Sequence, residues 1–100
     1  MKRLLTSELT YYLGTVVQES REAVGLSQTQ LGELTLFGQP AINRMENGGR
    51  GLQVIELYDL CLPLKLTMRD FVGRFEHAVR RAEAAGAAVK PQAARHWRAR

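Results

Sequence analysis

Apolar residues recur along most of this chain three and four positions apart, the spacing of helices and not of strands. Leu9, Leu13, Val16, Val17, the small Ser20 and Val24 fall on one stripe, which predicts a first helix with one face on a core. Ser7 is its expected cap ahead of Glu8, and Gly25 its stop. Gly14 lies inside the stripe at a cost of about 1 kcal/mol against alanine, so a close helix contact is expected there. Ser27 and Gln30 have capping-box spacing and open a second helix that reaches 34 or 35. Gly38 and Pro40 start a third helix, since proline is tolerated in a first turn. Ile42 and Met45 form its apolar side, and Asn47-Gly48-Gly49 ends it. A fourth helix is expected over about 52–62, burying Leu52, Ile55, Leu57, Leu60 or their neighbours, with Pro63 ending or kinking it. Thr67 and Asp70 introduce a fifth, whose stripe is Phe71, Phe75, Ala78, Val79 and Ala82, and Gly86 stops it. The expectation is all-α: five helices in one domain over 1–86, then a mobile tail over 87–100.

Composition narrows the class. The chain's 100 residues suffice for one domain with a modest core. A hydrophobic fraction of 45% and a mean hydropathy of −0.22 exclude a largely disordered chain. No apolar run is long enough for a bilayer. Thr6, Ser7 and Glu8 interrupt the signal-like start, so a cytoplasmic location with no membrane is expected. Cys61 stands alone between Leu60 and Leu62, which suits a small buried hydrophobe and allows no disulfide or paired-cysteine metal site.

Charge is unevenly placed. Residues 1–86 balance ten basic against ten acidic side chains, and the tail adds Lys90, Arg95, Arg98 and Arg100 with no acid. The pI of about 9.7 therefore reports mainly the tail and is weak support for nucleic acid by itself. His77 and His96 are too far apart and too poorly accompanied for a metal site. Tyr11 and Tyr12 read as packing or interface residues. With no nucleophile–base pair and no phosphate-binding glycine loop, the sequence points to no enzyme, cofactor or metal.

One constellation is more specific. Arg21-x3-Gly25-Leu26-Ser27-Gln28-x2-Leu31 is followed by Ile42-x3-Glu46-Asn47-Gly48, and then by Leu64-Lys65-Leu66-Thr67-Met68-Arg69-Asp70-Phe71. From Arg21 to Phe71 the chain resembles the Cro/C1-type (XRE-like) helix-turn-helix repressors of phages and bacteria. The resemblance implies a lambda-repressor-like DNA-binding domain with an extended C-terminal helix. Two short helices joined by a tight turn also have a physical use, because the second fits the major groove of double-stranded DNA. The chain departs from the family at Gly32, where alanine is usual, at Leu36, where glycine is usual, and at Pro40. Gly38 is accordingly expected to take the flexible role in the turn.

The resemblance assigns roles. Gln39, Asn43 and Arg44 at the exposed start of the third helix are the expected base contacts. An amide pairs bidentately with adenine, and a guanidinium with guanine or with a phosphate. Solvated polar residues are the plainer alternative. Gln28, Asn47 and Arg50 are the expected DNA backbone contacts, with Gln28 also bracing the recognition helix. Simple first-turn and turn residues are the alternative at Gln28 and Asn47. Arg21 and Glu46 are expected to pair inside the domain and tie the first helix to the third.

A short recognition helix reads few base pairs, so a homodimeric repressor on two half-sites is the leading functional expectation. The stripe from Phe71 to Ala82 either forms the dimer surface or packs on its own core. The alternative function is an antitoxin, with a toxin protein as partner and the tail as the toxin-binding segment. The tail's four cations and Trp97 otherwise suit a mobile arm on DNA, or serve solubility.

Overall fold

The computed structural model describes residues 4–86, and all of its regular structure is helical. The basic tail, His96 and Trp97 lie outside the described residues. The helices are α1 (Thr6–Ala23), α2 (Gln28–Glu33), α3 (Gln39–Glu46), α4 (Val54–Leu64) and α5 (Met68–Ala84).

Local chemistry sets most of these boundaries. At α2 the Gln30 amide donates to Ser27 Oγ at 3.0 Å, and the Ser27 amide donates to Gln30 Oε1 at 2.8 Å, closing the expected capping box. At α5 the Asp70 amide donates to Thr67 Oγ1 at 3.0 Å. Gly25 and Gly86 follow α1 and α5 with φ of +78° and +67°, a backbone that glycine adopts without strain. The start of α1 corrects the expected Ser7 cap. The helix begins at Thr6, and the buried Glu8 carboxylate reaches back to accept the Leu5 amide at 2.7 Å. Ser7 sits exposed in the first turn.

The fourth helix also departs from expectation. It runs two residues later at each end, and its core face is Leu60, Cys61 and Leu64, with Leu57 packed alongside. Ile55 points to solvent instead. Pro63 does not end the helix, because its missing amide falls only one residue from the end. The chain turns at Lys65, which adopts φ +60°, and the Leu66 amide donates to the Cys61 carbonyl at 3.2 Å. Gly38 is a correction too. It caps α3 at φ −100°, a conformation open to any residue, so it supplies no special flexibility.

The core gathers Val16, Val17, Leu31, Phe37, Ile42, Met45, Leu60, Cys61, Leu64 and Phe71. Burial pushes the Cys61 thiol above its ordinary range, as a small buried hydrophobe requires. α1 packs on α3 and α5, α2 on α3, and α4 on α5. Of the α5 stripe, Phe71 is buried and Phe75 packs against the core, while Ala78, Val79 and Ala82 are half-buried. Two glycines hold α3 in place. A Cβ at Gly14 would overlap the Met45 carbonyl and come within 2.7 Å of the Glu46 carbonyl, so α1 lies directly on the end of α3. A Cβ at Gly32 would stand 2.7 Å from the Gln39 amide nitrogen, so the turn into α3 folds tightly over α2. None of the described helices is long and apolar enough to cross a membrane.

Candidate nucleic-acid interface

Helix α3 divides cleanly. Ile42, Met45 and Glu46 are buried, while Pro40, Asn43 and Arg44 are exposed. Gln39, Asn43 and Asn47 follow one another four residues apart, which aligns their amides along one face of the helix and its cap. Gly48, at φ +78°, turns the chain away beneath Tyr11, whose ring makes an edge contact with Tyr12 at 5.0 Å.

Glu46 anchors this face from below. Arg21 Nε donates to its Oε2 at 2.6 Å and Arg21 Nη2 to its Oε1 at 3.1 Å, a two-point pair joining α1 to α3. Arg21 Nη1 also donates to the Leu26 carbonyl at 2.8 Å. The hydrogen bond to Glu46 raises the Arg21 pKa, and burial only partly opposes it. The guanidinium is therefore a fixed cation.

Gln28 carries the anchor to the surface. Its Nε2 donates to Glu46 Oε1 at 2.9 Å. A carboxylate only accepts, so this bond fixes which end of the Gln28 amide faces inward. Its Oε1 is thereby turned to α3, where it accepts from Gln39 Nε2 at 2.8 Å and from Asn43 Nδ2 at 3.3 Å. Asn47 Nδ2 continues the row by donating to Asn43 Oδ1 at 3.1 Å. Gln39 keeps its Oε1 and its second amide hydrogen uncommitted, one acceptor and one donor side by side.

The two arginines differ. Arg44 is exposed, and among the described residues no carboxylate pairs with it. Arg50 is held on the protein: its Nη2 lies 2.8 Å from Glu56 Oε2, and its guanidinium sits 5.2 Å from the centre of the Phe37 ring. Glu56 in turn accepts the Gln53 amide at 2.9 Å. That bond first, and the Arg50 bond next, hold its carboxyl below the ordinary range.

A model of the Cro/C1-type, XRE-like helix-turn-helix family matches residues 17–71, which takes in α2, α3 and α4 and, of these side chains, all but Tyr11 and Tyr12. The chain belongs to that family. It is thus a DNA-binding transcription regulator of the XRE type, built on a lambda-repressor-like all-helical domain. The family's domain binds DNA and is not a catalytic one. No curated protein gives a match. Among the described residues, no cluster of three histidine, cysteine, aspartate or glutamate side chains is placed to hold a metal ion.

The structure brings Gln28, Gln39, Asn43 and Asn47 into one hydrogen-bonded row over Glu46. It leaves Arg44 beside that row and draws Arg50 toward α4. Sequence reasoning missed the partners of Arg50, which are Glu56 and Phe37, and the part played by Gly32. The glycine carried a signal, an unfavourable residue inside a short helix. Phe37 and Glu56 carried none, because only the fold brings them to Arg50.

Proposed function

We propose that the protein is a repressor that binds an inverted-repeat operator as a homodimer. Gln39, Asn43 and Arg44 read bases, while Gln28, Asn47 and Arg50 position the DNA backbone. The observation that carries the reading is the amide row, pinned to Glu46 through Gln28 on the exposed face of α3. Amides held in a fixed orientation lose little side-chain freedom on binding. With one acceptor and one donor left, Gln39 matches the N6 and N7 edge of adenine. An eight-residue helix is about 12 Å long and covers few base pairs. Two copies on two half-sites supply the missing specificity.

Footprinting on DNA upstream of the protein's own gene tests this directly, and a protected inverted repeat is expected. On that operator, Gln39→Ala and Arg44→Ala should each lose about 1–3 kcal/mol and relax preference at particular base pairs. Arg50→Ala should weaken all sequences alike. Equal losses on every sequence for all three variants would refute base reading by α3.

A further inference from the structure

Beyond the DNA face, the largest unexplained feature is apolar. Val54, Ile55, Tyr58 and Leu62 stand on the outer face of α4 at helical spacing, and Leu34 and Leu36 join them. Each of the six is between 59% and 83% exposed. They are contiguous. Leu34 and Leu62 line the same shallow groove, and the Leu36 amide donates to Asp59 of α4 at 2.7 Å. Together they expose on the order of 700 Å², more than an ordinary monomer shows in one patch and close to one side of a standard interface.

We propose that this face seats a second copy of the chain, α4 against α4, and so joins the two recognition modules. The inference rests on the homodimer reading above and assigns its surface. Three features fit a second copy. First, the area suffices. Second, the charges on and beside the face balance: Glu56 is paired with Arg50, and the Asp59 carboxylate, which accepts the Leu36 amide, is matched by the cation of Lys65. A face with no net charge does not repel its own copy. Third, the stripe is nearly self-complementary about its middle. In an antiparallel pair with a twofold axis at Tyr58, Val54 of each copy meets Leu62 of the other, and Lys65 falls opposite the uncharged Gly51. α5 offers no equal. Phe71 and Phe75 pack on the core, Val72 is its one exposed large apolar residue, and its exposed side carries Arg69, Arg74, Glu76, Arg80 and Arg81.

The test is the mass of the full chain in solution by sedimentation, with no DNA present, so that it is independent of the base-reading assignment. The wild type is expected to be a dimer at tens of micromolar. Tyr58→Lys places two ammonium groups at the axis and should raise the dimer dissociation constant at least about 100-fold, since interface energy concentrates at buried central aromatics. Val72→Lys on α5 should leave it unchanged. Should Tyr58→Lys fail to fold, Tyr58→Cys replaces it. With a short bis-maleimide it should give a covalent dimer, and Val72→Cys and the wild type, whose Cys61 is buried, should not. A monomeric wild type, a dimer that survives Tyr58→Lys, or cross-linking at 72 instead of 58 would each overturn the assignment.

Discussion

Removing Glu46 tests the anchor beneath the reading face. In Glu46→Ala the Arg21 guanidinium loses both of its bonds to the carboxylate and keeps the Leu26 carbonyl and a longer pairing, at 3.9 Å, with the exposed Glu22. Breaking a buried ion pair by deleting one partner costs about 3–5 kcal/mol, because the other charge is stranded. The Arg21 side chain is 11% exposed against 3% for Glu46, so water reaches it in part and the cost falls near 3 kcal/mol. Gln28 also loses its inward acceptor, which adds about 1 kcal/mol. A total near 4 kcal/mol corresponds to a fall in Tm of roughly 15–30 °C for a domain of this size. Thermal and urea melts would measure it. The double variant Arg21→Met/Glu46→Leu removes both charges and should recover most of the loss. A Tm within a few degrees of wild type in Glu46→Ala would refute the stranded-charge argument. So would a double variant no more stable than the single one.

Four further outcomes follow from named positions. Gly14→Ala should destabilise by about 1–3 kcal/mol in melts, since overpacking against the carbonyls of α3 outweighs a propensity gain of about 1 kcal/mol. Gly73→Ala on α5, with open space around it, should instead stabilise slightly. Gln28→Ala should relax base preference at the position read by the still intact Gln39, measured as binding isotherms on operator point variants. Equal weakening on all variants would confine Gln28 to phosphate contact. The lowered Glu56 pKa stabilises the fold above the ordinary carboxylate range, and this contribution is lost as pH falls through the lowered value. Glu56→Gln should therefore flatten the acid side of the stability profile below about pH 4.5, and an unchanged acid limb would count against the Arg50–Glu56 tie.

Where a boundary depends on neighbours in sequence, it was legible. Ser27 with Gln30 and Asn47-Gly48-Gly49 are local chemistry, and both act where they were expected to. Gly14 was legible as an anomaly, a costly residue that made sense only with a second helix close by. The fourth helix was not legible, for a definite reason. Val54, Ile55, Leu57, Tyr58, Leu60, Cys61, Leu62 and Leu64 put apolar residues all around it, so periodicity selects no face. Packing decided that Leu60, Cys61 and Leu64 turn in and Ile55 turns out. The excess hydrophobicity that hid the core face is the same property that leaves the outer stripe in search of a partner. At the start of α1 no hydroxyl caps the first turn, and the Glu8 carboxylate instead reaches back to the Leu5 amide. Gln28 was readable as a brace only through the family. Its bonds to α3 exist because Gly32 lets the turn close over α2.

The composition of the reading face bears on how such a domain finds its site. Residues 1–86 balance ten basic side chains against ten acidic ones, so their net charge supplies no general attraction for phosphate. Of the two arginines beside α3, Arg50 shares its charge with Glu56, and Arg44 is uncommitted. Each phosphate neutralised contributes only about 0.9 to the salt slope, so the described face by itself binds with weak salt dependence. In the proposed reading, recognition then rests on neutral amides with Arg44 beside them. Free amides would lose rotational freedom on meeting a base edge, but here they are ordered before DNA arrives. The fixed Arg21 cation holds Glu46, Glu46 sets the Gln28 amide, and Gln28 sets Gln39 and Asn43. In the proposed reading, a buried ion pair that adds little net stability over an apolar replacement has a second use: through Gln28 it sets which atoms of Gln39 face outward, and with them which base the helix would accept.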